Sequence, residues 1–175
     1  MKNSVGIWIV RVILLALIIF WMSIIFGFSA EDGESSQSLS DKITIKVVQV
    51  IEPGYDSLKA DAQQAIFDKV SFFVRKTGHF GEYAILGLLM TGLILTFEKI
   101  RVIKKAELKM MLISAIICMI YAATDELHQG FVAGRSPKIL DVLIDTSGAL
   151  AGTGFLMIIW ILINRKRRQN EVMGK

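Results

Sequence analysis

Four long apolar runs set the limits on what this chain can fold into. They extend from Ile7 to Phe28, Phe80 to Phe97, Met110 to Thr124 and Ile139 to Ile163. A helix needs roughly 20 residues to cross a hydrocarbon core, where only intrasegment hydrogen bonds satisfy the backbone, so such runs read as transmembrane helices. Arg11 alone interrupts the first run, and a long basic side chain near a helix end reaches back to the headgroups. Composition agrees: 53% of the 175 residues are apolar, more than one soluble core of this size uses. The expected architecture is an all-α membrane protein, a bundle of four transmembrane helices with an extracellular amphipathic helix, in one domain over residues 1–175.

Basic residues orient this bundle. Lys99, Arg101, Lys104, Lys105 and Lys109 lie between the second and third runs, and Arg165, Lys166, Arg167 and Arg168 follow the fourth. The positive-inside rule assigns both groups, and hence both termini, to the cytoplasmic side. The loop over residues 29–78 then lies outside, with Glu31, Asp32, Glu34, Asp41, Glu52, Asp56, Asp61 and Asp68 offsetting its lysines. Phe28-Ser29-Ala30 could be a signal-peptide cleavage site. A bulky Phe where a small residue is wanted, and the length of the run, favour an uncleaved helix. Either choice leaves the loop outside.

Within that loop, Glu31 to Ser40 is rich in serine and acid and is expected to be mobile. Pro53-Gly54 marks a turn. From about residue 57 to 76 the pattern becomes helical, with Leu58, Ala62, Ala65, Ile66, Val70 and Phe73 at three- and four-residue spacing. That stripe fits either a helix lying in the outer interface or a small extracellular helix packed on the bundle. The single cysteine, Cys118, sits inside an apolar run, so it forms no intramolecular disulfide and reads as inert core. The basic residues flank apolar runs without interleaved aromatic platforms, which speaks against nucleic acid.

Ionisable residues crowd the outer ends of three runs. The second opens with Lys76-Thr77-Gly78-His79-Phe80-Gly81-Glu82-Tyr83, and the third closes with Asp125-Glu126-Leu127-His128-Gln129. The fourth is preceded by Gly134-Arg135-Ser136-Pro137 and starts with Asp141 and Asp145. Uninterrupted apolar sequence from Ala84 to Phe97 covers only about 21 Å at 1.5 Å per residue, against a core about 30 Å thick. Glu82, Asp125 and Asp145 are therefore expected below the outer surface, facing one another or a wet cavity. Helical spacing supports convergence: His79 with Glu82 and Tyr83, Asp125 with His128 and Gln129, and Asp141 with Asp145 each share a face. Ser136-Pro137 supplies a cap and a favoured first residue for the fourth helix. Gly148 and Gly152, with Ala151 nearby, form a small-residue seam for close helix packing.

Glu82, Asp125, Glu126, Asp141 and Asp145 cannot all ionise together in a low-dielectric pocket without counter-charge. Arg135, Arg75 and Lys76 are sources of it, and a divalent metal is another, although no metal motif such as HExxH is present. His79 and His128 are candidate ligands or acid–base groups. The plainer account of the whole set is a network of interhelical hydrogen bonds holding the bundle together.

These same stretches resemble the VanZ-like family of bacterial membrane proteins. The likeness rests on residues 75–87, Arg-Lys-Thr-Gly-His-Phe-Gly-Glu-Tyr-Ala-Ile-Leu-Gly, and on residues 124–148, from Thr124-Asp125-Glu126-Leu127-His128-Gln129 through Gly134-Arg135-Ser136-Pro137 to Gly148. It departs at Asp145, where Asn is expected in the family. The resemblance implies an association with glycopeptide resistance, especially to teicoplanin-type drugs, in Gram-positive bacteria.

The expectation carried forward is a multi-pass protein of the bacterial cytoplasmic membrane. It would bind or modify an anionic lipid or lipid-linked envelope precursor at the outer leaflet. His79, Glu82, Asp125 and His128 are the candidate catalytic residues. Lys76, Tyr83, Glu126, Gln129, Arg135, Asp141 and Asp145 are the candidate substrate-binding ones, with an Arg fork suited to phosphate. The alternative is a non-catalytic factor that shields or organises envelope components. A small transporter would need oligomerisation, and no pair of broken helices at the midplane is evident.

Overall fold

The computed structural model describes residues 4–31, 33–97 and 106–173. Lys99, Arg101, Lys104, Lys105 and Asp32, used above in orienting the chain, lie outside the described residues, as do the side chains of Glu34, Lys166, Arg167 and Arg168. The elements are α1 (Ser4–Ala30), α2 (Gly33–Ile51), a 3-10 turn (Tyr55–Ser57), α3 (Ala60–Leu95), α4 (Ala106–Gln129) and α5 (Ile139–Met173). Among the described residues there is no strand. Four helices are long and apolar enough to cross a membrane, over Val5–Ala30, Ala60–Leu95, Glu107–Gln129 and Ile139–Arg165.

The loop between the first two spans departs from expectation. The serine- and acid-rich segment is the start of α2, a full helix rather than a mobile linker. Ser40, Thr44 and Val48, four apart, form its buried face, while Lys42, Lys46 and Gln49 stay exposed. Pro53-Gly54 turns the chain as expected. The Tyr55 hydroxyl donates to the Gln63 carbonyl (3.1 Å) and the Gln63 side-chain amide donates to the Tyr55 carbonyl (2.9 Å), which closes the hairpin between α2 and α3. The amphipathic stretch after it is not a separate element: it is the first half of α3, a continuous helix of 36 residues. At 1.5 Å per residue that helix is about 54 Å long, well beyond one hydrocarbon core. Of the predicted stripe, Ile66 and Val70 are half-buried, whereas Ala62, Ala65 and Phe73 are exposed.

The centre of the bundle is the pairing of α3 with α5, which run parallel. Gly148 faces the Phe80 carbonyl and Gly152 the Ala84 carbonyl, while Gly87 faces the backbone of Ala149. A Cβ at Gly152 would stand 2.7 Å from the Ala84 carbonyl carbon, and one at Gly148 2.9 Å from that of Phe80. Small residues are what permit this backbone-to-backbone approach. The seam's third small member is Ala149, which is buried, and not Ala151, which points outward. One turn deeper, the hydroxyls of Thr91, Ser114 and Thr153, from α3, α4 and α5, lie 3.1 Å from one another, and those of Ser114 and Thr153 lie 3.3 Å from the Gly87 carbonyl. Each of these three hydroxyls thus has a protein partner, as an apolar surrounding requires.

Helix α1 runs antiparallel to α3 and is tied at both ends. Near its start the Arg11 guanidinium donates to the Thr96 hydroxyl and carbonyl, both at 3.0 Å, and lies 4.2 Å from the Phe97 ring centre. Near its end Trp21 donates to the Glu82 carbonyl (2.8 Å), and Tyr121 donates to the Met22 carbonyl (2.7 Å). Helix α5 begins at Ile139, so Ser136-Pro137 precedes the helix rather than forming its cap and first turn. The reason is a competing bond: the Lys138 backbone N–H donates to Glu126 Oε2 at 2.8 Å, which holds the segment out along α4.

Candidate functional site

At the end of the bundle remote from Arg11, a cavity of about 290 Å³ opens between α1, α2, α3 and α4. His79, Glu82, Asp125, Gln129 and Arg135 all line it. The spacing explains the convergence. His79 and Glu82 sit three apart on α3, and Asp125 and Gln129 four apart on α4, because α4 does continue to Gln129. Asp125 is 4% exposed and receives a hydrogen bond from Gln129 (3.3 Å) through Oδ2, while its Oδ1 is buried with no hydrogen-bond partner among the described residues.

Arg135 reaches the cavity from the connection between α4 and α5. Gly134 turns that connection with a φ of 74°, a left-handed conformation that disfavours any residue bearing a Cβ. Arg135 then donates to the Phe28 carbonyl at 2.8 Å, which caps the last turn of α1. The same bond holds Phe28-Ser29-Ala30 in helix, with Ser29 buried.

A second layer stands behind the cavity, between α3 and α5. Lys76 pairs with Asp141, and His79 Nδ1 lies 3.3 Å from Asp145 Oδ1. Asp145 is wholly buried, and neither of its oxygens has a hydrogen-bond partner among the described residues. His79 is thus the group shared by the cavity and the ion-pair layer. Tyr83 is fully buried behind it, and Glu126 is occupied by the Lys138 backbone N–H. His128 points elsewhere: its ring packs on Phe26 of α1, with centroids 4.4 Å apart. Of the four residues read as catalytic, the structure brings His79, Glu82 and Asp125 to one cavity and leaves His128 outside its lining.

The acidic cluster raises the question of a divalent metal. Among the described residues, no three or more His, Cys, Asp and Glu side chains are grouped so as to hold a metal ion. Counter-charge near the carboxyl groups comes from Lys76, Arg75, Arg135 and the imidazole of His79.

Sequence reasoning missed a whole wall. Ser29 of α1 and Ser40 of α2 line the cavity, each with a buried hydroxyl lacking a hydrogen-bond partner among the described residues. Arg75, read above as counter-charge, lines it too and is anchored by a bond to Gln37 of α2 (3.0 Å). The available signal was the four-residue recurrence of Ser40, Thr44 and Val48, which the surrounding acid and serine obscured.

The comparisons with curated proteins and with solved structures return no match. The family model described as VanZ/LLP1 does match, over residues 14–162, from the middle of α1 to the membrane part of α5. The matched stretch includes every residue lining the cavity, and the chain belongs to the VanZ/LLP1 family.

Proposed function

We propose that this protein works in the bacterial cytoplasmic membrane with both termini in the cytoplasm. It binds or modifies an anionic lipid or lipid-linked envelope precursor in the cavity at the outer leaflet. Reduced binding of teicoplanin-type glycopeptides at the cell surface would follow as a consequence. The single observation carrying this reading is that Arg135, His79, Glu82 and Asp125 line one cavity. Cations and carboxylates at membrane depth are costly unless they are used. Arg135 spends one N–H on the Phe28 carbonyl and keeps others for an anion. Its planar fork suits phosphate. Any chemistry on the bound headgroup would fall to His79, Glu82 and Asp125, which sit where a proton can be held or passed.

The test is single substitution of His79→Ala, Glu82→Gln, Asp125→Asn and Arg135→Gln, with membrane abundance measured alongside drug susceptibility and the envelope lipid profile. Loss of the lipid change and of resistance at normal abundance is expected. Retained resistance in all four variants refutes the reading. A specific observation favours a second account for part of the set. Lys76–Asp141 and Lys138–Glu126 join elements to one another. In a non-catalytic organiser the whole cluster would be of that kind, and the four substitutions would lower abundance rather than specific effect.

A further inference from the structure

The cavity's charge inventory says more about its ligand than that it is anionic. Two guanidinium groups, Arg75 and Arg135, line it, and so do three carboxyl groups, Glu31, Glu82 and Asp125. Counted as ionised, the carboxylates outnumber the guanidiniums, and a protonated His79 would only bring the lining to balance. A ligand carrying negative charge alone would meet no net positive field, and it would place its anion near buried carboxylates in a medium that screens poorly. The polar atoms left without partners point the same way. Asp125 Oδ1 can only accept from a donor while ionised, and Ser29 and Ser40 present hydroxyls that accept as readily as they donate. All three residues are at most 9% exposed.

Size and polarity narrow the choice further. At about 290 Å³ the cavity is at the small end of ligand clefts, which run roughly 300–1,000 Å³, so it suits a headgroup and not a whole lipid. Phe28 and Ile43, both substantially exposed, stand at its edge as apolar surface against which acyl chains can lie. Resting on the lipid-site reading above, we infer that the cavity takes a zwitterionic phospholipid headgroup. Its phosphate is held between Arg135 and Arg75, and its primary ammonium is held by Asp125 and Glu82 with the hydroxyls of Ser29 and Ser40. Helix α2 is then part of the binding site, since it supplies Ser40 and, through Gln37, fixes Arg75.

The experiment is retention of defined lipids by the purified full-length protein, read by native mass spectrometry. It is titrated in parallel with phosphatidylethanolamine and phosphatidylglycerol of identical acyl chains. Phosphatidylethanolamine should be retained about tenfold better, the worth of a charge-assisted hydrogen-bond set that phosphatidylglycerol cannot complete. Asp125→Asn should narrow that ratio, and Arg135→Gln should weaken both lipids. Equal or better retention of phosphatidylglycerol by the wild-type protein overturns the zwitterion inference while leaving an anionic-lipid site standing. Retention of both lipids at the level of a scrambled detergent control, unchanged by Arg135→Gln, overturns the lipid site itself.

Discussion

Replacing Gly152 by alanine tests whether the α3–α5 seam is as tight as its backbone geometry indicates. The added Cβ would sit 2.7 Å from the Ala84 carbonyl carbon and 3.1 Å from its Cα. Carbon atoms rest at about 3.5–4.0 Å, so the helices must part locally by roughly 1 Å. The obstacle is helical backbone, which cannot rotate aside as a side chain can. Over-packing of this kind costs about 1–3 kcal/mol. Gly154 provides the control, since a Cβ there meets nothing within 4 Å. Both substitutions gain the same helix propensity, up to about 1 kcal/mol, so the difference between them isolates the packing term. Gly152→Ala should therefore unfold more easily than Gly154→Ala by about 1–3 kcal/mol, measured by denaturant titration or steric trapping in micelles. Equal stabilities would show that the seam is looser than described. Lipid retention should fall with stability in Gly152→Ala, because Asp145 and His79 sit on the same two helices.

Three other outcomes are expected. Thr153→Val removes one hydroxyl from the buried trio and should cost about 0.6 kcal/mol, and at most about 1.7, as for other interhelical bonds in membranes; its cycle with Ser114→Ala should be non-additive, and strict additivity would mean the hydroxyls act alone. Arg11→Lys keeps the charge but loses the paired bonds to Thr96, so stability should drop by about 1 kcal/mol; an unchanged unfolding midpoint would rule out that tie. Because Cys118 is fully buried, the unmodified protein should resist a membrane-impermeant maleimide. Ser57→Cys should label from outside intact cells and Glu107→Cys only after permeabilisation, with the reverse pattern inverting the proposed orientation.

The four spans were legible because apolar length is a strong, local signal that lipid turns into helix with little alternative. The convergence of His79, Glu82 and Asp125 was legible for a related reason, since charge placed at one end of several spans has few directions to go. What sequence did not reveal depends on partners distant in the chain. Helix α2 takes its order from α3 through Ser40, Thr44 and Val48, and its own composition reads as solvated linker. Ser136-Pro137 carries a sound local cap signal, overruled by the bond between Lys138 and Glu126. His128 shares the spacing of Asp125 and Gln129, yet it turns to the aromatic face of Phe26, a choice that periodicity alone does not contain.

The two sides of the cavity are built to different tolerances. Its rear, with Asp145 and Asp141 set against His79 and Lys76, rides on two helices locked by glycine contacts. Its front rests on α1, of whose span only 11% is buried, and on the hairpin that α2 makes with α3. The ion-paired groups at the rear therefore keep their spacing through the packing of α3 on α5, whereas Ser29 and Ser40 owe theirs to the docking of α1 and α2.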